Sequence, residues 1–147
     1  LVMRILADRS QCLVASPILV QKLGFPAAPG ALSNWPSLGL GILQQIHAWA
    51  LLGPDGANVT LHHTPRFVTT DMIALRDAAV AGVGVVQLPM VMARDQLAAG
   101  TLVTLVPDWA PCQEIIHAVF PSRRGLLPSV RALIDFLAQR FEMLHED

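Results

Sequence analysis

Residues 71–89, DMIALRDAAVAGVGVVQLP, constrain this chain more than any other stretch. Met72, Leu75 and Ala79 recur at helical spacing on one face, with Arg76 and Asp77 off it, which predicts an amphipathic helix. Thr70 or Asp71 stands where a side-chain oxygen would accept from the amides that the first turn leaves unpaired. Gly82 and Gly84 end the helix, because a residue without a Cβ enters the left-handed conformation at little steric cost. Val83, Val85, Val86 and Leu88 follow as a short apolar run suited to a strand covered on both faces. Pro89 has no amide hydrogen and ends the ladder. Ala74, Ala78 and Ala81 are small enough to let the helix lie close to a sheet. A helix passing through a glycine turn into a buried strand is an α/β signature. Taken by itself the stretch is core and carries no chemistry.

The chain has 147 residues, enough for one domain or two small lobes. It is 53% hydrophobic and only 14% charged, so a large share must be buried or lie against a partner. Glycines, prolines and charges interrupt every apolar run before it could cross a bilayer. With a net charge of −1 and scattered basic residues, the chain lacks the electrostatic footprint of a nucleic-acid binder. No signal-peptide pattern opens it. Cys12 and Cys112 form neither a zinc ribbon nor a CxxC pair and are expected to be free thiols in a reducing cytoplasm.

Along the chain, residues 1–7 and 11–16 (QCLVAS) predict strands, and Pro17 opens a short helix that Gly24 closes. Prolines and Gly30 mark residues 25–36 as loop. Two β-prone runs, 47–52 and 57–63, flank Gly53-Pro54-Asp55-Gly56 and predict a hairpin. Residues 65–69 lead out of it extended. A helix is expected over 91–99 and strands over 102–106 and 115–120, the latter two separated by a turn at 107–111. Val130, Leu133, Ile134, Leu137 and Phe141 then form the apolar stripe of a final helix opened by Pro128.

Chemistry-bearing patterns are scarce. His62 and His63 are adjacent, so in a strand they point to opposite faces and cannot both ligate one metal. His47, His117 and His145 have no helical partner at i, i+4. HExxH, GxSxG and GxxxxGK[ST] are all absent. Gly82 and Gly84 precede a strand, whereas a dinucleotide loop follows one, and Gln87 stands where a third glycine belongs. Asp71 and Asp77 lie on different helix faces and are no acid/base pair. No catalytic constellation, metal site or cofactor follows from these residues.

An ordered series of short segments says more. CLVASP at 12–17, GFP at 24–26, PRF at 65–67 and AGVGVVQLP at 81–89 are followed by LAAG at 97–100, LVPDW at 105–109, IHAVFPSRR at 116–124 and VRALIDFLAQRF at 130–141. Each is weak alone. Together, in this order and across nearly the whole chain, they closely resemble the effector-binding domain of LysR-type transcriptional regulators.

The resemblance implies an α/β fold like the type 2 periplasmic binding proteins, with two lobes joined by two crossing strands and a small molecule held between them. Residues 11–16 would be the first crossing and 115–120 the second. Residues 16–117 would form a complete second lobe, and 1–15 with 118–147 part of a first lobe. In the family the first lobe begins further upstream, behind a winged helix-turn-helix domain, so the chain reads as a fragment that meets DNA only through that absent domain. The implied effector contacts are Ser16, Pro17, Phe67, Thr69 and Val119. Ser16 equally suits a cap on the helix that Pro17 opens, and Phe67 and Val119 equally suit plain core. Thr70-Asp71 stands where the family often has Asn-Asp. The implied partners are a small-molecule effector and a second copy of the chain, in a cytoplasmic homodimer, with no cofactor and no membrane. A free-standing solute-binding protein of the same fold is the alternative, and an enzyme on this fold a remote third.

Overall fold

A computed structural model describes residues 2–112, 114–120 and 127–143. The elements run β1 (Val2–Arg9), β2 (Gln11–Ala15), α1 (Pro17–Leu23), β3 (Leu38–Leu40), β4 (His47–Leu52), β5 (Asn58–His63), β6 (Phe67–Thr69), α2 (Met72–Val80), β7 (Val86–Pro89), α3 (Met90–Ala99), β8 (Val103–Thr104), β9 (Ala110–Pro111), β10 (Glu114–Phe120) and α4 (Pro128–Met143). A six-residue 3-10 helix, Pro29–Asn34, lies in what reads as plain loop. The segment 121–124 and His145, used in the sequence argument, lie outside the described residues, as does the side chain of His117.

Local sequence accounts for most boundaries. Asp71, not Thr70, caps α2: its Oδ1 accepts from the amides of Ile73 (3.0 Å) and Ala74 (3.3 Å). Gly82, at φ +87°, carries the chain out of the helix. Gly100 does the same for α3 in the left-handed conformation. In the hairpin of β4 and β5, His47 pairs with His63 and Leu52 with Asn58. Strand β8 is shorter than the expected 102–106, because Val106 turns out of extended conformation at φ +40° while Leu102, Leu105 and Val106 remain buried.

The chain divides into two compact units, Leu1–Ser10 with Gln113–Asp147, and Gln11–Cys112. Both limits fall before those expected at Ala15 and His117. The cause is strand pairing: Gln11–Val14 hydrogen-bonds antiparallel to β7, entirely inside the larger unit.

In that unit β2 lies between β7 and β8, antiparallel to both. Strands β3 and β6 are parallel. A parallel bridge between Ser37 and Val85 ties them to β7, with Leu38 N donating to Val85 O at 2.8 Å. The order across the sheet is therefore β6-β3-β7-β2-β8. Alternation along β2 sends Leu13 and Ala15 to one face and Cys12 and Val14 to the other. The first face is covered by Leu19 and Val20 of α1, by Leu32, and by Trp49 and Leu51 of the β5-β4-β9 sheet. The second is covered by Leu75 and Ala79 of α2 and Ala93 of α3. Burial of a leucine such as Leu75, fully excluded from solvent, contributes about 2 kcal/mol.

In the smaller unit β1 pairs antiparallel with β10, Arg4 opposite Ala118. The strand at 115–120, expected as the second crossing, thus pairs with β1, whereas residues 11–15, expected within the first crossing, lie in the sheet of the larger unit. Helix α4 lies against β1, tied by the Arg4–Asp135 ion pair at 2.6 Å and by the Arg9 guanidinium 5.6 Å from the centre of the Phe141 ring. Its buried residues are Ile134 and Ala138, flanked by half-buried Leu137 and Phe141. Val130 and Leu133, expected in the buried stripe, are exposed, since a two-stranded ribbon covers only a narrow face of the helix.

Candidate functional site

Within the larger unit, the expected contacts Ser16 and Thr69 stand at different levels of the sheet. Ser16 is buried, and its Oγ accepts from the Ile18 amide at 3.2 Å as the N-cap of α1, with Pro17 at the first helical position. Phe67 and Thr69 lie instead along β6 at the edge of the sheet. Register shows how far apart these positions are. Thr69 pairs with Leu40, and the Ser37–Val85 bridge brings Leu40 level with Leu88, the partner of Cys12. Ser16 is four residues beyond Cys12, so at about 3.3 Å per residue it sits some 13 Å further along the strands, toward the opposite end of the sheet. Val119 is on β10 in the smaller unit, opposite Met3, and is 55% exposed.

Phe67 and Thr69 line an open groove of about 560 Å³ together with Gly41, Ile42, Arg66 and Thr70. The Thr69 Oγ1 accepts from the Asp71 amide at 3.0 Å, which leaves its proton available to a ligand. Phe67 is 39% exposed and not core, so it offers a ring face to whatever enters. Arg66 adds the groove's one guanidinium. Ile42 and Arg66 are not among the expected effector contacts, although Arg66 stands in the PRF segment at 65–67; for Ile42 the signal was a run of apolar residues (Ile42, Leu43, Ile46) inside a glycine- and glutamine-bearing loop.

A second cavity, of about 590 Å³, lies between that loop and the β4–β5 hairpin, with Trp35, Ser37, His47, His62 and His63 among its walls. Although adjacent on β5, His62 and His63 both reach it, because the cavity lies at the strand end. The His63 ring stacks on Trp49 at 4.0 Å between centroids and 20° between planes. Its Nδ1 is 2.7 Å from Ser37 Oγ. Burial, with the nearby His47 and His62 charges adding, lowers the His63 pKa to about 4, so this imidazole is neutral at pH 7. His47 Nε2 donates to the Ile42 carbonyl at 3.1 Å and pins the loop. Among the described residues no group of His, Cys, Asp and Glu is arranged to hold a metal ion. Nor is any described helix long and apolar enough to cross a membrane. Both cysteines carry free thiols, Cys12 buried and Cys112 exposed.

The chain matches the LysR substrate binding domain over residues 1–142. It is 30% identical over 145 residues to an HTH-type transcriptional regulator of Xanthomonas campestris pv. campestris, covering 95% of this chain and 42% of that one. It is 27% identical over 135 residues to YagP of Escherichia coli, a putative LysR family substrate binding domain-containing protein, covering 90% of this chain and 88% of YagP. Among solved structures it is similar to full-length AphB, a virulence activator of Vibrio cholerae (TM-score 0.78, 26% identity, 96% of this chain and 48% of that one). It is also similar to a variant of the AphB regulatory domain from Vibrio vulnificus (TM-score 0.80, 27% identity, 94% of this chain and 68% of that one). The chain thus spans less than half the length of the Xanthomonas regulator and of full-length AphB. Its α/β architecture is that of LysR regulatory domains, which is periplasmic-binding-protein-like. The match over nearly every residue, with the same fold in the relatives, means that this chain belongs to the LysR substrate-binding domain family.

Proposed function

We propose that the chain is the effector-sensing part of a LysR-type transcriptional regulator and catalyses no reaction. A small molecule bound to it favours one conformational state by its difference in affinity for the two. That shift reaches DNA through a winged helix-turn-helix domain of the whole regulator, and the near-neutral charge of this chain suits a part that does not itself hold DNA. The regulator works in the cytoplasm as a homodimer. The family match over residues 1–142 carries this reading and favours it over a free-standing solute-binding protein.

Within the larger unit, the groove at Phe67 and Thr69 best fits an effector surface. It joins an exposed aromatic face, a hydroxyl with a proton to donate and the Arg66 guanidinium. Ser16 is read as a helix cap, since the residue is buried, its Oγ accepts from the Ile18 amide, and it lies about four residues along the strands from the level of Thr69. Val119 remains assigned by the family resemblance. The lobes are proposed to be the two compact units themselves, Gln11–Cys112 and the remainder.

The test is a thermal-shift screen of the purified chain against a panel of small organic acids, amines and sugars. A ligand present at about 100 times its dissociation constant adds about 2.7 kcal/mol to stability. The expected hit loses its shift in Phe67→Ala and Thr69→Val. A screen in which no hit loses its shift in either variant, or tight operator binding by this chain alone at physiological salt, would overturn the reading.

A further inference from the structure

The histidine-lined cavity carries an inference that does not rest on the groove at Phe67 and Thr69. Its donors and acceptors can be counted. Ser37 is buried, and its only side-chain contact among the described residues is with His63 Nδ1. A buried hydroxyl that kept its proton unpaired would pay the full desolvation penalty, so Ser37 donates to Nδ1. The neutral His63 ring therefore carries its hydrogen on Nε2, which has no partner among the described residues. Gln45 is in the same position: its Oε1 accepts from the Ile42 amide at 3.2 Å, and the two amide hydrogens on its nitrogen have no partner among the described residues. His62 is exposed and makes no side-chain hydrogen bond among the described residues. By contrast, the hydroxyl hydrogen of Ser33 goes to the Gly30 carbonyl at 2.6 Å.

The walls thus present unpaired donors. Among the described residues no Asp, Glu, Lys or Arg lines the cavity, and its titratable groups there are all imidazoles, so any charge they take up is positive. Trp35, Leu43, Ile46 and Pro65 supply the apolar remainder. At about 590 Å³ it is in the range of small-molecule sites, which run from about 300 to 1,000 Å³. The binding site is also braced rather than loose: His63 is fixed by the Trp49 stack and the Ser37 bond, and His47 ties the Ile42 loop to the hairpin.

We infer that this cavity is a second ligand site, taking a small carboxylate with an apolar or aromatic body. Its carboxylate would accept from His63 Nε2–H, the Gln45 amide and His62, and its body would lie against Trp35, Ile46 and Pro65.

The probe is phenylacetate, with phenylacetamide as its neutral isostere, titrated into the isotopically labelled chain and followed by NMR. The acid is expected to shift the ring signals of His62, His63 and Trp35 and to bind about tenfold tighter than the amide, because bonds to a charged acceptor are the stronger ones. His63→Phe keeps a ring against Trp49 but removes the donor, and should weaken binding about tenfold. If that variant does not fold, Gln45→Leu, at an exposed loop position, should weaken binding severalfold. Thr69→Val should leave it unchanged, which separates this site from the groove. Equal affinity for acid and amide, shifts centred on Phe67 and Thr69, or no shift at millimolar phenylacetate would each overturn the inference.

Discussion

The Cβ that Gly84 lacks would fall 2.8 Å from the Pro36 carbonyl oxygen. At this contact the loop before β3 crosses the turn before β7, and it brings Ser37 into register with Val85. The atom in the way is backbone and cannot swing aside. Gly84→Ala should therefore cost about 1–3 kcal/mol in urea unfolding, the usual range for overpacking. Gly30→Ala is the control: a Cβ there meets nothing within 4 Å and φ is not positive, so stability should hold or rise by a few tenths of a kcal/mol. Equal losses in both variants would contradict this account.

Asp71 caps α2 through a single oxygen shared by two amides. Asp71→Ala should lower stability by about 1 kcal/mol, while Asp71→Asn, which keeps an acceptor oxygen, should stay within a few tenths. Paired denaturation curves measure both.

The two thiols should react very differently. Cys12 is 3% exposed, its Sγ donates to the Leu88 carbonyl at 3.4 Å, and burial raises its pKa to about 11. The thiolate is the reactive form, so Cys12 should stay unmodified by a disulfide reagent in native buffer. Cys112 is exposed and should react promptly. The second equivalent of reagent should be consumed only on unfolding; two equivalents reacting together in native buffer would contradict the packing of β2 described above.

Acid should destabilise the larger unit through His63. In the folded chain its pKa is lowered to about 4, against an ordinary value of 6.5. The unfolded chain therefore takes up this proton first as pH falls. The contribution of the neutral, stacked ring is complete above about pH 6.5 and is lost progressively between about 6.5 and 4. Urea midpoints taken across that window should fall less steeply in His63→Phe than in the parent. Parallel slopes would show that another group governs the acid limb.

Much of the fold was legible because it is local. Helix α2, a cap at Thr70 or Asp71, the glycine exit and the buried strand β7 follow from periodicity and from capping, glycine and proline chemistry within twenty or so residues of chain. The β4–β5 hairpin follows from the Gly-Pro-Asp-Gly turn for the same reason. The stripe on α4 was only half legible. Periodicity reveals an apolar face, but the width that is buried depends on what lies opposite, and a two-stranded ribbon covers Ile134 and Ala138 while leaving Leu133 exposed.

The sequence by itself determined the family, the α/β character and the order of the elements, because each is written in short segments that must adopt one conformation. Only the tertiary structure decided which residues share a site. It paired β10 with β1, placed residues 11–15 between β7 and β8, set Ser16 far along the sheet from Thr69, and brought His62 and His63 to one cavity. Strand direction and register are the physical reason. Both are set by hydrogen bonds between residues such as Cys12 and Leu88 that lie far apart in the chain, and no local pattern encodes that pairing.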